Sequence, residues 1–171
     1  LDIAFVSAAG AAIFENLGIL FAIGVAVGFA RDGNGAAALA GVVCYLVTTT
    51  GAQTFMTAPA DLGAGWPEAA AALAGKNWAL TQIDKLEVPI GILSGLIGGN
   101  FYNRFAAIAL PEYLAFFGGR RFVPIASGVA GLLLAAVIGY GYAHISGAID
   151  AASRTVVESG GAGLFVYGVL N

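Results

Sequence analysis

Charged residues are scarce in this sequence: Asp, Glu, Lys and Arg together make up 10% of its 171 residues. An ordinary soluble domain is about one quarter charged. Hydrophobic residues reach 59%, and the mean hydropathy is +0.88. Because ten acids and seven bases cannot supply the polar surface of a soluble domain of this size, the composition predicts a protein that lies in a lipid bilayer.

Residues with dedicated chemistry are equally few. The sequence has one cysteine, Cys44, and one histidine, His144. A single cysteine excludes an internal disulfide and a thiolate metal cluster, and there is no GxxxxGK[ST] phosphate loop and no HExxH motif. We therefore predict no metal site, no cofactor and no nucleic-acid partner, and we interpret Cys44 as a small buried apolar residue.

Stretches without charge divide the chain into segments that approach the roughly 20 residues a helix needs to span a bilayer. Helical passages are predicted from near Ala11 to Ala30, and at about 36–54, 88–105, 123–147 and from 160 onward. The last stretch is short, so we expect the chain to be an internal piece of a longer protein. The predicted fold class is an all-α membrane protein, a bundle of about five transmembrane helices.

Arginines are concentrated on one side of this predicted bundle. If the passages alternate in direction, Arg31 and the loop at residues 105–122 share a side that holds four of the seven bases and two of the ten acids. Short loops rich in Lys and Arg stay in the cytoplasm, which makes 105–122 a cytoplasmic loop. The polar insert at 57–87 is then extracytoplasmic, with Trp66 and Trp78 at headgroup depth.

Small residues four positions apart let helix backbones approach closely in a membrane. Two sets of glycines have this spacing, and we predict that they form helix interfaces, either within one subunit or between two: Gly24 and Gly28, and Gly91, Gly95 and Gly99.

Two pairs of residues are candidate binding sites. Arg120 and Arg121 follow an aromatic stretch in the cytoplasmic loop, LPEYLAFFGGRRFVPI. They are either topology anchors that reach toward lipid headgroups or a docking face for an anionic partner. Glu15 and Asn16 are a weaker candidate, since an ionisable group at membrane depth usually faces a partner or water; the alternative is that Glu15 lies at the outer boundary in solvent.

The conformation of the loop has two possible forms. Pro111 suits the first turn of a helix, and Gly118 and Gly119 can end it by taking positive φ. A β-hairpin that turns at the two glycines is the rival.

Three strings resemble the membrane-embedded IIC domain of the bacterial phosphoenolpyruvate-dependent sugar phosphotransferase system, in its glucose and N-acetylglucosamine branch. They are AIFENLGILFAIGVAVGFARDGNGAAALAGVVCYLV, GGNFYNRFAAIALPEYLAFFGGRRFVPIASG and the terminal FVYGVLN. The resemblance covers most of the chain, and the insert at 57–87 is its least similar part.

The resemblance implies that residues 1–171 are the N-terminal, dimerising half of a ten-helix homodimeric permease domain in the bacterial inner membrane. A phosphocysteine on a IIB domain, itself served by a IIA domain, would phosphorylate N-acetylglucosamine or glucose during uptake. The main sugar-contact residues of the family lie beyond this chain, so the resemblance implies no catalytic residue within it. A non-enzymatic membrane scaffold or a secondary transporter subunit is the alternative function.

Overall fold

The protein is all-α, as the sequence predicts. The structure, a computed structural model, describes the backbone of residues 3–59, 62–63 and 65–158 and the side chains as far as residue 142. Five α-helices lie in these residues: α1 (Ile3–Phe14), α2 (Leu17–Phe29), α3 (Gly35–Phe55), α4 (Glu68–Phe105) and α5 (Phe122–Glu158). The passage predicted from 160 onward and the side chain of His144 lie outside the described residues.

Two segments of the described chain are long and apolar enough to cross a membrane singly: Gly35–Phe55 and Gly119–Tyr142. The pair α1 and α2 passes the same test jointly. Helix α4 has 38 residues and is therefore about 57 Å long at 1.5 Å per residue. This length exceeds the roughly 30 Å thickness of the hydrocarbon core of a bilayer, and α4 is not among the segments that pass the test.

The first helical passage was predicted from near Ala11 to Ala30, and its predicted start is wrong. The chain breaks at Glu15 and Asn16, and the axes of α1 and α2 differ by 53°. Asn16 adopts φ −123° and ψ 21°, outside the helical region, and its side-chain amide donates to the carbonyl of Ala12 at 2.8 Å. A side chain that competes for backbone groups in this way favours a helix break.

The insert at 57–87 is not separate from the passage predicted at 88–105. Residues from Glu68 onward form one continuous helix with the predicted passage at 88–105. Pro89 lies within this helix and cannot donate to the carbonyl of Lys85, yet the helix continues past it.

Close packing of α4 on α2 depends on the predicted glycine ridge. A Cβ atom on Gly91 would overlap the carbonyl oxygen of Gly18 on α2, and a Cβ on Gly95 would lie 2.9 Å from the carbonyl oxygen of Ala22. Gly99 makes the same kind of contact one turn later. The ridge is therefore a helix contact within one chain.

Helix α3 packs into the same junction. A Cβ on Gly41 would lie 2.6 Å from the carbonyl oxygen of Ala22, and a Cβ on Gly98 would lie 2.5 Å from the backbone nitrogen of Gly41. The backbones of α2, α3 and α4 thus meet without intervening side chains. On its other side α3 contacts α5, where the Thr48 hydroxyl donates to the carbonyl of Gly131 at 3.2 Å.

The other predicted glycine pair faces open space. A Cβ on Gly24 or Gly28 would meet no atom within 4 Å. Their predicted interface role is therefore not filled inside this chain, and a contact between two subunits stays a prediction.

We expect Gly95→Ala to lower the free energy of unfolding by about 1–3 kcal/mol, because its methyl group overpacks the α2–α4 contact. Thermal unfolding of the full-length parent protein in detergent measures the effect. Gly10→Ala is the matched control, because a Cβ at this position of α1 would meet no atom within 4 Å: it removes glycine entropy from an open helix position and should be neutral or stabilising by up to about 1 kcal/mol. Equal destabilisation by both variants would contradict the packing described here.

Candidate functional site at the arginine-rich end

Three separate parts of the chain meet at one end of the bundle: the turn between α2 and α3, the last turn of α4, and the loop at residues 105–122. The backbone N–H of Arg31 donates to the side-chain oxygen of Asn103 at 2.9 Å, and Arg120 contacts Asp32. The prediction that Arg31 and the loop share a side is thus confirmed. This end, which we call the arginine end, carries Arg31, Asp32, Arg104, Glu112, Arg120 and Arg121.

Asn103 joins the end of α4 to the end of α2. Its side-chain oxygen accepts from the N–H of Arg31, and its amide nitrogen donates to the carbonyl of Phe29 at 2.9 Å. Helix ends leave backbone groups without helical partners, and here one side chain from a neighbouring helix satisfies two of them. The turn that carries Asp32 is therefore fixed relative to α4.

The same turn is shaped by its own residues. Gly33 adopts φ +60°, a conformation that favours glycine. The side chain of Asn34 accepts from the N–H of Ala36 at 2.9 Å and caps α3. These two residues determine where the chain reverses, and so where Asp32 is presented.

Asp32 binds two side chains through one carboxylate oxygen. The hydroxyl of Tyr102 donates to Oδ2 at 2.8 Å, and Nη2 of Arg120 lies 3.6 Å from the same atom. Tyr102 is only 4% exposed, whereas the side chains of Arg120 and Asp32 are 61% and 48% exposed. An ion pair so accessible to water contributes at most about 1 kcal/mol, while the buried tyrosine gives the carboxylate a defined position.

Arg121 has different partners from its neighbour. Its guanidinium carbon lies 4.7 Å from the centroid of the Phe116 ring, and Nη1 donates to the carbonyl of Phe116 at 3.4 Å. A guanidinium over an aromatic face is held by a cation–π attraction. Arg121 is thus directed back onto its own loop, whereas Arg120 is directed toward the α2–α3 turn.

The loop between α4 and α5 is compact and carries no strand, so the β-hairpin alternative is wrong. Residues Glu112–Phe117 form a 3-10 helix. Gly119, at φ +65°, donates its N–H to the carbonyl of Ile108 at 2.9 Å and closes the loop. Tyr113 and Phe116 are 82% and 71% exposed, so aromatic rings and guanidinium groups are presented together.

Glu15 and Asn16 are not brought to this end. They lie at the opposite end of α2, in the break from α1, and both are exposed. The structure does not unite them with the arginine pair into one site, and their binding role stays a prediction.

A second polar cluster, in the first half of α4, was not predicted from the sequence. The hydroxyl of Tyr142 donates to the side-chain oxygen of Gln82 at 2.7 Å, and the ammonium of Lys85 donates to the same oxygen at 3.0 Å. Trp78 packs edge-on against Tyr142 at 6.1 Å between ring centroids. The spacing of Trp78, Gln82 and Lys85 along a helix was a usable signal, but nothing local identified Tyr142 as their partner.

Two concavities are lined in part by α4. An apolar cavity of about 270 Å³ lies between α4 and α5, and a cleft of about 540 Å³ is lined by Thr50, Gln53, Thr54 and Lys76 among others. Close by, burial and then the Asp84 carboxylate raise the pKa of Glu87 above its ordinary value. Among the residues that the structure describes, no three His, Cys, Asp or Glu side chains are grouped to hold a metal ion.

Comparison with known proteins identifies a family and several relatives. Residues 3–171 match the family described as "Phosphotransferase system, EIIC". The N-acetylglucosamine-specific EIICBA component of Escherichia coli K12 is 40% identical over 171 residues, 100% of this chain and 22% of that protein. The N-acetylglucosamine-specific EIICB component of Bacillus subtilis 168 is 34% identical over 99% of this chain and 32% of its own.

A third relative is the glucose-specific EIICBA component of Staphylococcus carnosus TM300. It is 35% identical over 95% of this chain and 23% of its own length. The chain therefore spans about a fifth to a third of the relatives that it matches.

We expect Asn103→Ala to destabilise the parent protein by about 0.5–1.5 kcal/mol, because it removes hydrogen bonds to the N–H of Arg31 and the carbonyl of Phe29 at an exposed end of the bundle, where water replaces part of them. Thermal unfolding in detergent checks this. Asn100→Ala is the control, since Asn100 lies one turn earlier on an exposed face of α4. A similar loss of stability in both variants would show that Asn103 does not join the two helix ends.

Proposed function

Because the chain belongs to the phosphotransferase system EIIC family, we propose that it is part of a sugar permease that couples uptake of a sugar to its phosphorylation. The match of residues 3–171 to the family carries this proposal. The proposed sugar is N-acetylglucosamine, for which relatives of 40% and 34% identity are named. Glucose and glucosamine, for which other relatives are named, are the alternatives.

In this proposal residues 1–171 form the N-terminal half of a ten-helix, multi-pass domain in the bacterial inner membrane. The insert at 57–87 is extracytoplasmic and the loop at 105–122 is cytoplasmic, which agrees with the excess of basic residues at the arginine end. This half contributes to a homodimer. The open faces of Gly24 and Gly28 are compatible with such a contact, since small residues allow helices of two subunits to approach.

The cytoplasmic partners are a IIB domain and a IIA domain. The names of the relatives join C, B and A components, or C and B components, in one protein. The phosphoryl group passes from the cysteine sulfur of IIB to the 6-hydroxyl of the sugar: the P–S bond breaks, a P–O bond forms, and the hydroxyl proton is released. IIB must therefore approach the membrane domain from the cytoplasm.

Arg120 and Arg121 receive the phosphorylated IIB domain in this account. Guanidinium groups bind phosphate oxygens through charge-assisted hydrogen bonds. Arg121 lies over the exposed ring of Phe116, and the exposed Tyr113 belongs to the same loop. Arginine with aromatic residues is the composition that protein interfaces favour. A membrane scaffold or a secondary transporter, the alternative functions, would need no such surface.

We expect replacement of both arginines, Arg120→Gln with Arg121→Gln, to lower kcat/KM for sugar phosphorylation by about tenfold. The reason is the loss of charged hydrogen bonds to the phosphoryl group. Membrane vesicles that contain the full-length parent protein are supplied with the phosphorylated donor and labelled N-acetylglucosamine or glucose. The amount of protein in the membrane is measured alongside.

Lys76→Gln controls for the loss of one positive charge, because Lys76 is exposed near the opposite end of α4; it should leave phosphorylation unchanged. Normal phosphorylation by the double arginine variant would assign the arginines to topology alone. No phosphorylation of any tested sugar by the unmodified protein would instead favour the scaffold or the secondary transporter.

A further inference from the structure

Arg120 already has an ion-pair partner in this structure. Its guanidinium contacts Asp32 at 3.6 Å, across 88 positions of sequence. If Arg120 binds a phosphoryl group, as the proposed function requires, it must exchange one anion for another. The properties of the Asp32 carboxylate therefore decide how readily the arginine becomes available.

The ion pair is weak enough to exchange. Both side chains are about half exposed or more, and pairs of this kind are screened by water and contribute little to stability. A phosphoryl group carries a charge of about −1.5 to −2 and three strong acceptor oxygens. A phosphoryl group therefore offers Arg120 more negative charge and more hydrogen-bond acceptors than the single carboxylate oxygen that Asp32 presents at 3.6 Å.

The two partners of the ion pair differ in their freedom to move. Asp32 is held by the hydroxyl of buried Tyr102 at 2.8 Å, and its turn is fixed by Asn103 through the hydrogen bond to Arg31. Arg120, by contrast, follows Gly119 in an exposed loop. Exchange thus requires a change in the arginine side chain and none in the helix bundle.

We propose that Asp32 is an intramolecular competitor for Arg120, which the phosphorylated partner displaces and which recovers the arginine once the phosphoryl group has left with the sugar. This inference rests on the proposed function and adds a regulatory contact to it. While no phosphorylated partner is bound, the carboxylate shields Arg120 from free anions. After transfer, the Asp32 carboxylate pairs with Arg120 again. This lowers the affinity of the arginine end for the dephosphorylated partner and favours release of that partner.

Inorganic phosphate is the probe that tests the proposal. It presents the same oxygens as a phosphoryl group, and it can be added whether or not the donor domain is fused to the permease. The full-length parent protein is reconstituted in phosphatidylcholine vesicles, which offer no anionic headgroup. Sugar phosphorylation is then measured against phosphate concentration, with the phosphorylated donor supplied well below its KM, so that loss of the competitor is not cancelled by tighter donor binding, and with chloride keeping the ionic strength constant. Asp32→Asn should lower the half-inhibitory phosphate concentration by up to about fivefold, the factor that an exposed ion pair allows.

Two comparisons make the result specific. Glu112→Gln removes the same charge from an exposed acid of the arginine end and should not change the half-inhibitory concentration. In an Arg120→Gln background, Asp32→Asn should have no further effect, because the arginine for which they compete is gone. Asp32→Ser provides a second way to remove the carboxylate should the asparagine variant fold poorly.

An unchanged phosphate sensitivity in Asp32→Asn or Asp32→Ser would overturn the competitor role. So would a shift that persists in the Arg120→Gln background. The proposed function fails in a different way: the double arginine variant would then phosphorylate sugar normally. If that variant is impaired while the Asp32 variants resemble the unmodified protein, the docking surface stands and only the competition is wrong.

Discussion

The backbones of α2, α3 and α4 approach so closely that the junction has no room for side chains, and the rest of the described structure depends on this contact. A Cβ atom on Gly41 or Gly98 would lie 2.5–2.6 Å from backbone atoms of a neighbouring helix. Lipid provides no hydrophobic drive for helices to associate, so close van der Waals contact must hold them. A stretch composed largely of small residues can therefore form a specific bundle.

This junction also determines the geometry of the arginine end. Because α4 packs on α2 along three turns, its last residues reach the point where α2 ends. Tyr102 can then bind Asp32, and Asn103 can satisfy the end of α2. The position of the carboxylate that meets Arg120 is a consequence of glycines located deeper in the bundle. The chemistry of this end is thus linked to packing rather than to the exposed loop alone.

Much of the fold follows from the sequence because it depends on local signals. The bounds of α3 were predicted within one residue at each end, from a stretch of uncharged residues. The ridge of Gly91, Gly95 and Gly99 was identified by its spacing. The break between α1 and α2 was missed because Glu15 and Asn16 are compatible with a helix, and the observed 53° bend depends on a side chain that competes for a backbone carbonyl.

The arrangement of the candidate site was less predictable, because its contacts join residues far apart in the chain. Arg120 and Arg121 are adjacent and chemically identical, and no local pattern indicates that one binds Asp32 while the other packs on Phe116. The sequence predicted which residues share an end of the bundle but not which of them meet. The Gln82–Tyr142 hydrogen bond was missed for the same reason.

In the proposed function the arginine end faces the cytoplasm, where a phosphorylated partner can reach it. In the full-length protein with Cys44 and every other cysteine replaced by serine, single cysteines are introduced by Ala107→Cys at the arginine end or Ala72→Cys near the start of α4; both positions are exposed. Spheroplasts are then treated with a membrane-impermeant maleimide before and after permeabilisation. The account predicts labelling of the Ala72→Cys protein in intact spheroplasts and of the Ala107→Cys protein only after permeabilisation. The reverse pattern would place the arginines outside the cell and contradict the account.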